Sequence, residues 1–155
     1  MNKIRRIGAM VAATVAATGM AMTVAAAPAQ AAPQKGPMPL SNLLAPMVEN
    51  NGPQGQWQSV KFRSKTKACN FKMRVWDFAP NATVVHPQGF YTSLWQGPTL
   101  NKNEIDFASV KFYTGDYKPG WTVQTFPATI WWDNCKKKAK TQSKSTLFVV
   151  WVKGF

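Results

Sequence analysis

Two lysine-rich stretches each sit beside one of the two cysteines of this chain. One reads Lys65-Thr66-Lys67-Ala68-Cys69, and the other reads Cys135-Lys136-Lys137-Lys138-Ala139-Lys140, with Lys144 close behind. A disulfide between Cys69 and Cys135 would hold their Cα atoms about 5.5–6 Å apart. It would gather Lys65, Lys67, Lys136, Lys137, Lys138 and Lys140 on one side of the molecule, with Lys144 near them. Like charges repel, so such crowding gains nothing for the fold and points to an anionic partner. The chain carries 19 Lys and Arg against six Asp and Glu, a formal net charge of +13. Beyond the first few residues the only arginines are Arg63 and Arg74. Lysine is a hydrated point charge, whereas arginine offers planar, two-pronged recognition. The bias fits loose attraction to a polyanion better than the reading of phosphates or base edges.

Other reactive residue types are sparse. His86 is the only histidine and stands at a strand end, in Val84-Val85-His86-Pro87. With no partners of ligand type beside it, it reads as a structural side chain; no metal and no cofactor is expected. Glu104 and Asp106 are two residues apart on a strand and so share a face. Paired carboxylates about 5–9 Å apart can hydrolyse glycosides. Here they directly follow Lys102, where opposite charges need no catalytic explanation, and six acids leave little material for acid–base work. Ser64-Lys65-Thr66-Lys67 matches the S-x-x-K string of penicillin-binding proteins, but it lies in a basic loop and lacks their companion motifs.

Aromatic residues are the second signal, with seven Trp, three Tyr and nine Phe. Most must fill a core. Trp131 and Trp132 are adjacent, and neighbours on a strand point to opposite faces, so one of them should face outward. Trp57 and Trp76 are further candidates for exposure. An exposed ring beside lysines can stack on a sugar or a base while the charges hold an acidic group. A tryptophan roofed by a lysine stem is the blander alternative for each ring.

The elements that must position these groups are strands. Cys69, Phe71, Met73 and Val75 alternate with Asn70, Lys72 and Arg74, which predicts one buried face and one wet face. Further strands are expected over 56–63, 83–86 and 90–96. The apolar residues Ile105 and Phe107 take one phase and Val110 and Phe112 the other, which predicts a bulge near Ala108-Ser109. A strand from Trp121 should end at Pro127, and another should run from Thr129 to Cys135. The last strand, Thr146 to Val152, is apolar on both sides and is expected to be covered on both faces. Short strands separated by turn residues predict an all-β domain, a single antiparallel β-sandwich with one disulfide; a small closed barrel is the alternative. The spacing of Cys69 and Cys135 matches the inter-sheet cysteines of an immunoglobulin-like domain. Trp76 follows the first cysteine too closely, however, and Asp133 stands where that fold has a tyrosine. Only the general sandwich architecture carries over.

The N-terminus bears on the compartment. A short positive head, Met1 to Arg6, precedes an uncharged run from Ile7 to Ala27 and the small-x-small site Ala29-Gln30-Ala31. This predicts a bacterial-type signal peptide over 1–31, a Pro- and Gly-rich segment over 32–55, and a β-sandwich over 56–155. Loss of Lys3, Arg5 and Arg6 would leave 16 basic residues against the same six acids, a net charge of +10. The mature protein is expected to be secreted, disulfide-bonded and free of membrane spans. The leading reading is a secreted, non-enzymatic, basic binding domain attached to an anionic partner: envelope polymer, acidic polysaccharide, nucleic acid or anionic lipid. A secreted inhibitor or toxin acting on a protein partner through the loops Gly97–Asn103 and Gly115–Gly120 is the alternative, and a small hydrolase built on Glu104 and Asp106 ranks third.

Overall fold

The computed structural model describes residues 36–48, 54–79, 81–115 and 117–155. The expected leader, residues 1–31, lies outside them, as do parts of the segment that follows. In chain order the strands are β1 (Pro37–Pro39), β2 (Met47–Val48), β3 (Gln56–Ser64), β4 (Cys69–Val75), β5 (Ala82–Val85), β6 (Ile105–Thr114), β7 (Gly120–Asp133) and β8 (Gln142–Gly154). They form two four-stranded sheets, in the orders β1-β3-β6-β5 and β2-β8-β7-β4.

Period-two alternation builds the core. Val60 and Phe62 of β3 and Val110 and Phe112 of β6 face Phe71 and Met73 of β4, Phe126 and Ile130 of β7, and Phe148 and Val150 of β8 in one buried cluster. Phe62 meets Phe71 edge-on at 5.0 Å, and Phe112 meets Phe126 at 4.8 Å. These edge-to-face pairs join the two sheets. The chain is thus an all-β sandwich, and the closed barrel is not formed.

Residues 36–48 are an extended wrap. β1 pairs with β3 on one sheet, and β2 runs parallel to β8 on the other. Ser41 to Val48 form no helical turn. Leu44 and Met47 are buried, whereas Leu40 and Leu43 stay exposed. The wrap thereby covers one edge of each sheet, where unpaired backbone groups would otherwise invite other chains.

Several local expectations are corrected. β6 has no bulge at Ala108-Ser109: its pairing with β3 runs unbroken from Gln56↔Phe112 to Arg63↔Ile105. Asp106 points inward and Ile105 and Phe107 outward, the reverse of what hydropathy dictates. The bulge lies in β4, where the register with β7 slips between Cys69 and Lys72 and Asn70 takes a φ of 53°. Pro127 does not end a strand, because β7 runs through it. The Pro127 carbonyl accepts from Trp76 N just where β4 stops, so the missing N–H falls at the end of that ladder rather than within it. β8 is interior to its sheet but covered on one face only, with Leu147 and Trp151 exposed.

The segment 90–96 is not a strand. Thr92 exchanges two backbone hydrogen bonds with Met73, the chain leaves the edge of β4, and it returns where Phe71 N donates to the Pro98 carbonyl. Gly97 and Pro98 prevent continuous pairing. Leu100 then pairs with Ala68. Residues 92–100 therefore cap the outer edge of β4 and thrust residues 93–97 outward.

Candidate functional site

The disulfide joins Cys69 to Cys135 with Cα atoms 5.1 Å apart. It does not cross between the sheets as in an immunoglobulin-like domain. Cys69 belongs to the β4–β7 ladder, where it pairs with Asp133, and Cys135 lies just past the end of β7 in the same sheet's connection. Cys135 adopts a φ of 63°, a left-handed conformation rarely seen outside glycine and asparagine. Asp133 holds this turn, accepting from Cys135 N through one oxygen and from Asn70 Nδ2 through the other. Cys69, Cys135 and Asp133 also make the one grouping of metal-ligand residue types among the described residues. Because both sulfurs are bonded to each other, neither offers a thiolate.

Two chain crossings meet at this end. Residues 65–68 carry the chain from β3 in one sheet to β4 in the other, and residues 134–141 join β7 to β8. Lys65, Lys67, Lys136, Lys137, Lys138 and Lys140 are all exposed there. Lys102 is close by, its backbone bridged to that of Ser64. Lys144 differs: it lies within β8 opposite Ile130, in the inward phase, and is half-buried.

The carboxylates proposed for hydrolysis hold backbone. Glu104 Oε2 accepts from Asn101 N at 2.9 Å. Asp106, buried, accepts from Gln96 N at 3.0 Å and from Phe107 N at 2.7 Å. His86 is buried as well, and Val75 N donates to its Nε2 at 3.0 Å. Burial, reinforced by the Arg74 cation and opposed by Asp77, moves its pKa below the ordinary 6.5. The loop 97–103 is stitched to the body through Pro98, Leu100 and Asn103, and Thr99 Oγ1 approaches Cys69 Sγ at 3.7 Å.

The tryptophans divide. Trp132 turns into the core, where its ring leaves no room for a Cβ on Gly36. Trp131 turns outward between Lys72 and Ser143. Trp76 is roofed by the Arg74 guanidinium, 3.9 Å from its ring, and donates Nε1–H to Thr129. Trp57 is 55% exposed. Sequence reasoning missed Trp95, which at 74% is the most exposed tryptophan among the described residues. It lies on the outward excursion of residues 93–97, and its ring stacks on Phe107 at 5.4 Å and 17°. Only the inward turn of Asp106 and the outward turn of Phe107 make that seat, and hydropathy predicted the opposite.

Trp57, Trp95, Phe107, Leu94 and Ser109 line a groove of about 490 Å³ on the outer face of the β3–β6 sheet. Register places Lys111 beside Trp57, Ser59 beside Ser109 and Lys61 beside Phe107. The Lys111 ammonium lies 5.6 Å from the Trp57 ring. Because alternate residues share a face, Trp57, Ser59, Lys61 and Arg63 all project outward along β3, towards the crossing that carries Lys65.

No family model matches the chain, and no curated protein matches it. Among solved structures it is similar to AggA, the major subunit of aggregative adherence fimbriae type I (AAF/I) from Escherichia coli. The identity is 14%, with a TM-score of 0.35, over 77% of this chain and 91% of that one. A superposition so partial leaves function to be argued from this chain's own surface. No helix among the described residues is long and apolar enough to cross a membrane.

Proposed function

We propose that this is a secreted, non-enzymatic binding domain whose lysine-bearing end attaches to an anionic polymer. One observation carries the reading: the disulfide and the two crossings bring Lys65 and Lys67 together with Lys136, Lys137, Lys138 and Lys140, all exposed. Asp133, the acid next to this cluster in sequence, spends its oxygens on Asn70 and Cys135 rather than on a lysine. A leader-like N-terminus and a disulfide both support export. The two carboxylates that could suggest hydrolysis are occupied by backbone N–H groups, which supports a binding role over a catalytic one.

The test is retention on immobilised polyphosphate and on immobilised heparin. Attraction between exposed charges is screened over about 8–10 Å at ordinary ionic strength, so elution should come early in high salt. Replacing Lys136, Lys137, Lys138 and Lys140 together with Gln should lower the eluting salt concentration on both columns. Retention that ignores salt, or a variant that elutes with the wild type, would overturn the reading.

A further inference from the structure

We propose that the polymer is an acidic polysaccharide: the groove between Trp57 and Trp95 takes its sugar rings, and Lys61, Arg63 and Lys111 take its carboxylates or sulfates. This deepens the polyanion reading above and rests on it.

The groove is built, not incidental. A large aromatic side chain left open to water is costly, and a pinned one doubly so, since pinning removes its freedom as well. Trp95 is held by its backbone and by one face of its ring. Its N–H donates to the Phe107 carbonyl, and its ring lies flat on Phe107. The next residue, Gln96, donates N–H to the buried Asp106 carboxylate. Ser93 N, two residues before, donates to Gln88 Oε1. A buried carboxylate spent on the backbone of an exposed excursion gives the core nothing. It gives Trp95 a fixed pose, and a ring already in its bound pose saves the ordering cost of binding.

The chemistry of the groove selects its occupant. Trp57 and Trp95 offer flat apolar faces, and Phe107 and Leu94 lie below. Ser59 and Ser109 share a hydrogen bond of 2.7 Å beside them. Each hydroxyl both donates and accepts, which suits a hydroxyl-rich ligand. The side-chain amide at the groove, Gln88, already has its oxygen occupied by Ser93 N, and no arginine lines the groove. Reading a base edge wants a free amide or a guanidinium fork, so the groove suits sugars better than nucleotides. The basic residues complete the match. Lys111 flanks Trp57, Lys61 lies across from Phe107, and Arg63 follows on the same face of β3. Outward side chains along a strand repeat about every 6.5–7 Å. From Trp57 to Lys65 the face extends roughly 26 Å. A linear acidic glycan can therefore lie with rings in the groove and run its charges along β3 to the lysines at the disulfide.

The experiment compares three probes on the full chain: oligogalacturonate (rings and carboxylates), polyphosphate (charge without rings) and oligothymidylate (charge and bases). Trp57→Ala and Trp95→Ala should stay folded with cooperative melting, because both rings are exposed, Trp95→Ala losing only its stack on Phe107. Each should weaken oligogalacturonate binding about tenfold, the usual effect of removing a stacking platform. Neither should change polyphosphate binding, and Trp95→Phe should restore most of the loss. Replacing the four lysines 136, 137, 138 and 140 should weaken all three probes. If none of the probes binds, the polyanion reading itself fails. If all bind and the tryptophan variants match the wild type, the polysaccharide assignment fails while that reading stands. If oligothymidylate depends on Trp95 as strongly as oligogalacturonate does, the groove is a nucleic-acid site and the assignment is overturned.

Discussion

His86 shows how one side chain acquires a role from what packs around it. Its Nε2 must keep a lone pair to accept from Val75 N, and burial together with Arg74 favours the neutral ring. The folded pKa therefore lies below the ordinary 6.5, and below that value the unfolded chain binds the proton more readily. The stability that this contact contributes is complete above about pH 7 and is lost as pH falls below about 6.5 towards the folded pKa. His86→Leu leaves Val75 N–H without its acceptor, a cost of about 1–3 kcal/mol. Urea unfolding at about pH 7.5 and about pH 5 should show a less stable variant whose stability falls less with acid than that of the wild type. Equal slopes would remove His86 from the pH dependence.

At the scale of elements, the excursion of residues 93–97 depends on Asp106. Both carboxylate oxygens accept backbone N–H groups, from Gln96 and from Phe107. Asparagine has one acceptor oxygen and turns an amide donor towards the other N–H. Asp106→Asn should therefore cost about 1–3 kcal/mol by chemical unfolding. It should also release Trp95 from Phe107, which acrylamide quenching of tryptophan fluorescence would register as greater access. A variant as stable as the wild type, with unchanged quenching, would mean that the stack alone positions the ring. β8 teaches a related point. Phe148, Val150 and Val152 face the core, while no sheet or helix among the described residues is laid over the residues between them. Its all-apolar composition misled because covering a face requires a second layer, and no local pattern reports whether one exists.

Over the whole molecule, charge and cross-link do separate work. The disulfide closes a loop of 66 residues, so its loss frees the unfolded chain. Cys69→Ser should cost about 2–5 kcal/mol, measured by urea unfolding against the oxidised wild type. It leaves Asp133 alone to hold Cys135 in its left-handed conformation. The lysines at that end should behave otherwise. Exposed charges contribute about 0–1 kcal/mol each way, so glutamine at Lys136, Lys137, Lys138 and Lys140 should leave the melting temperature within a few degrees of wild type or raise it slightly. The same variant loses retention on polyanions, which separates binding from folding.

The sequence by itself determined the fold class, the pairing of its two cysteines and the basic character of the end they define. Alternation over Phe71, Met73 and Val75 fixes which face of β4 is buried, since side chains on a strand have no other choice. Two cysteines in a chain with a leader-like start have each other as partner. Only the tertiary structure decided where Trp95 stands. Its seat depends on an inward Asp106, satisfied by the N–H groups of Gln96 and of its neighbour Phe107, and on an outward Phe107 that the ring itself covers. Hydropathy ranks those two residues the other way, because it records the cost of burying each side chain alone and not the hydrogen bonds and stacking that offset it. The groove brings together β3, β6 and the excursion between β5 and β6. Contacts so distant in sequence leave no periodic trace in it.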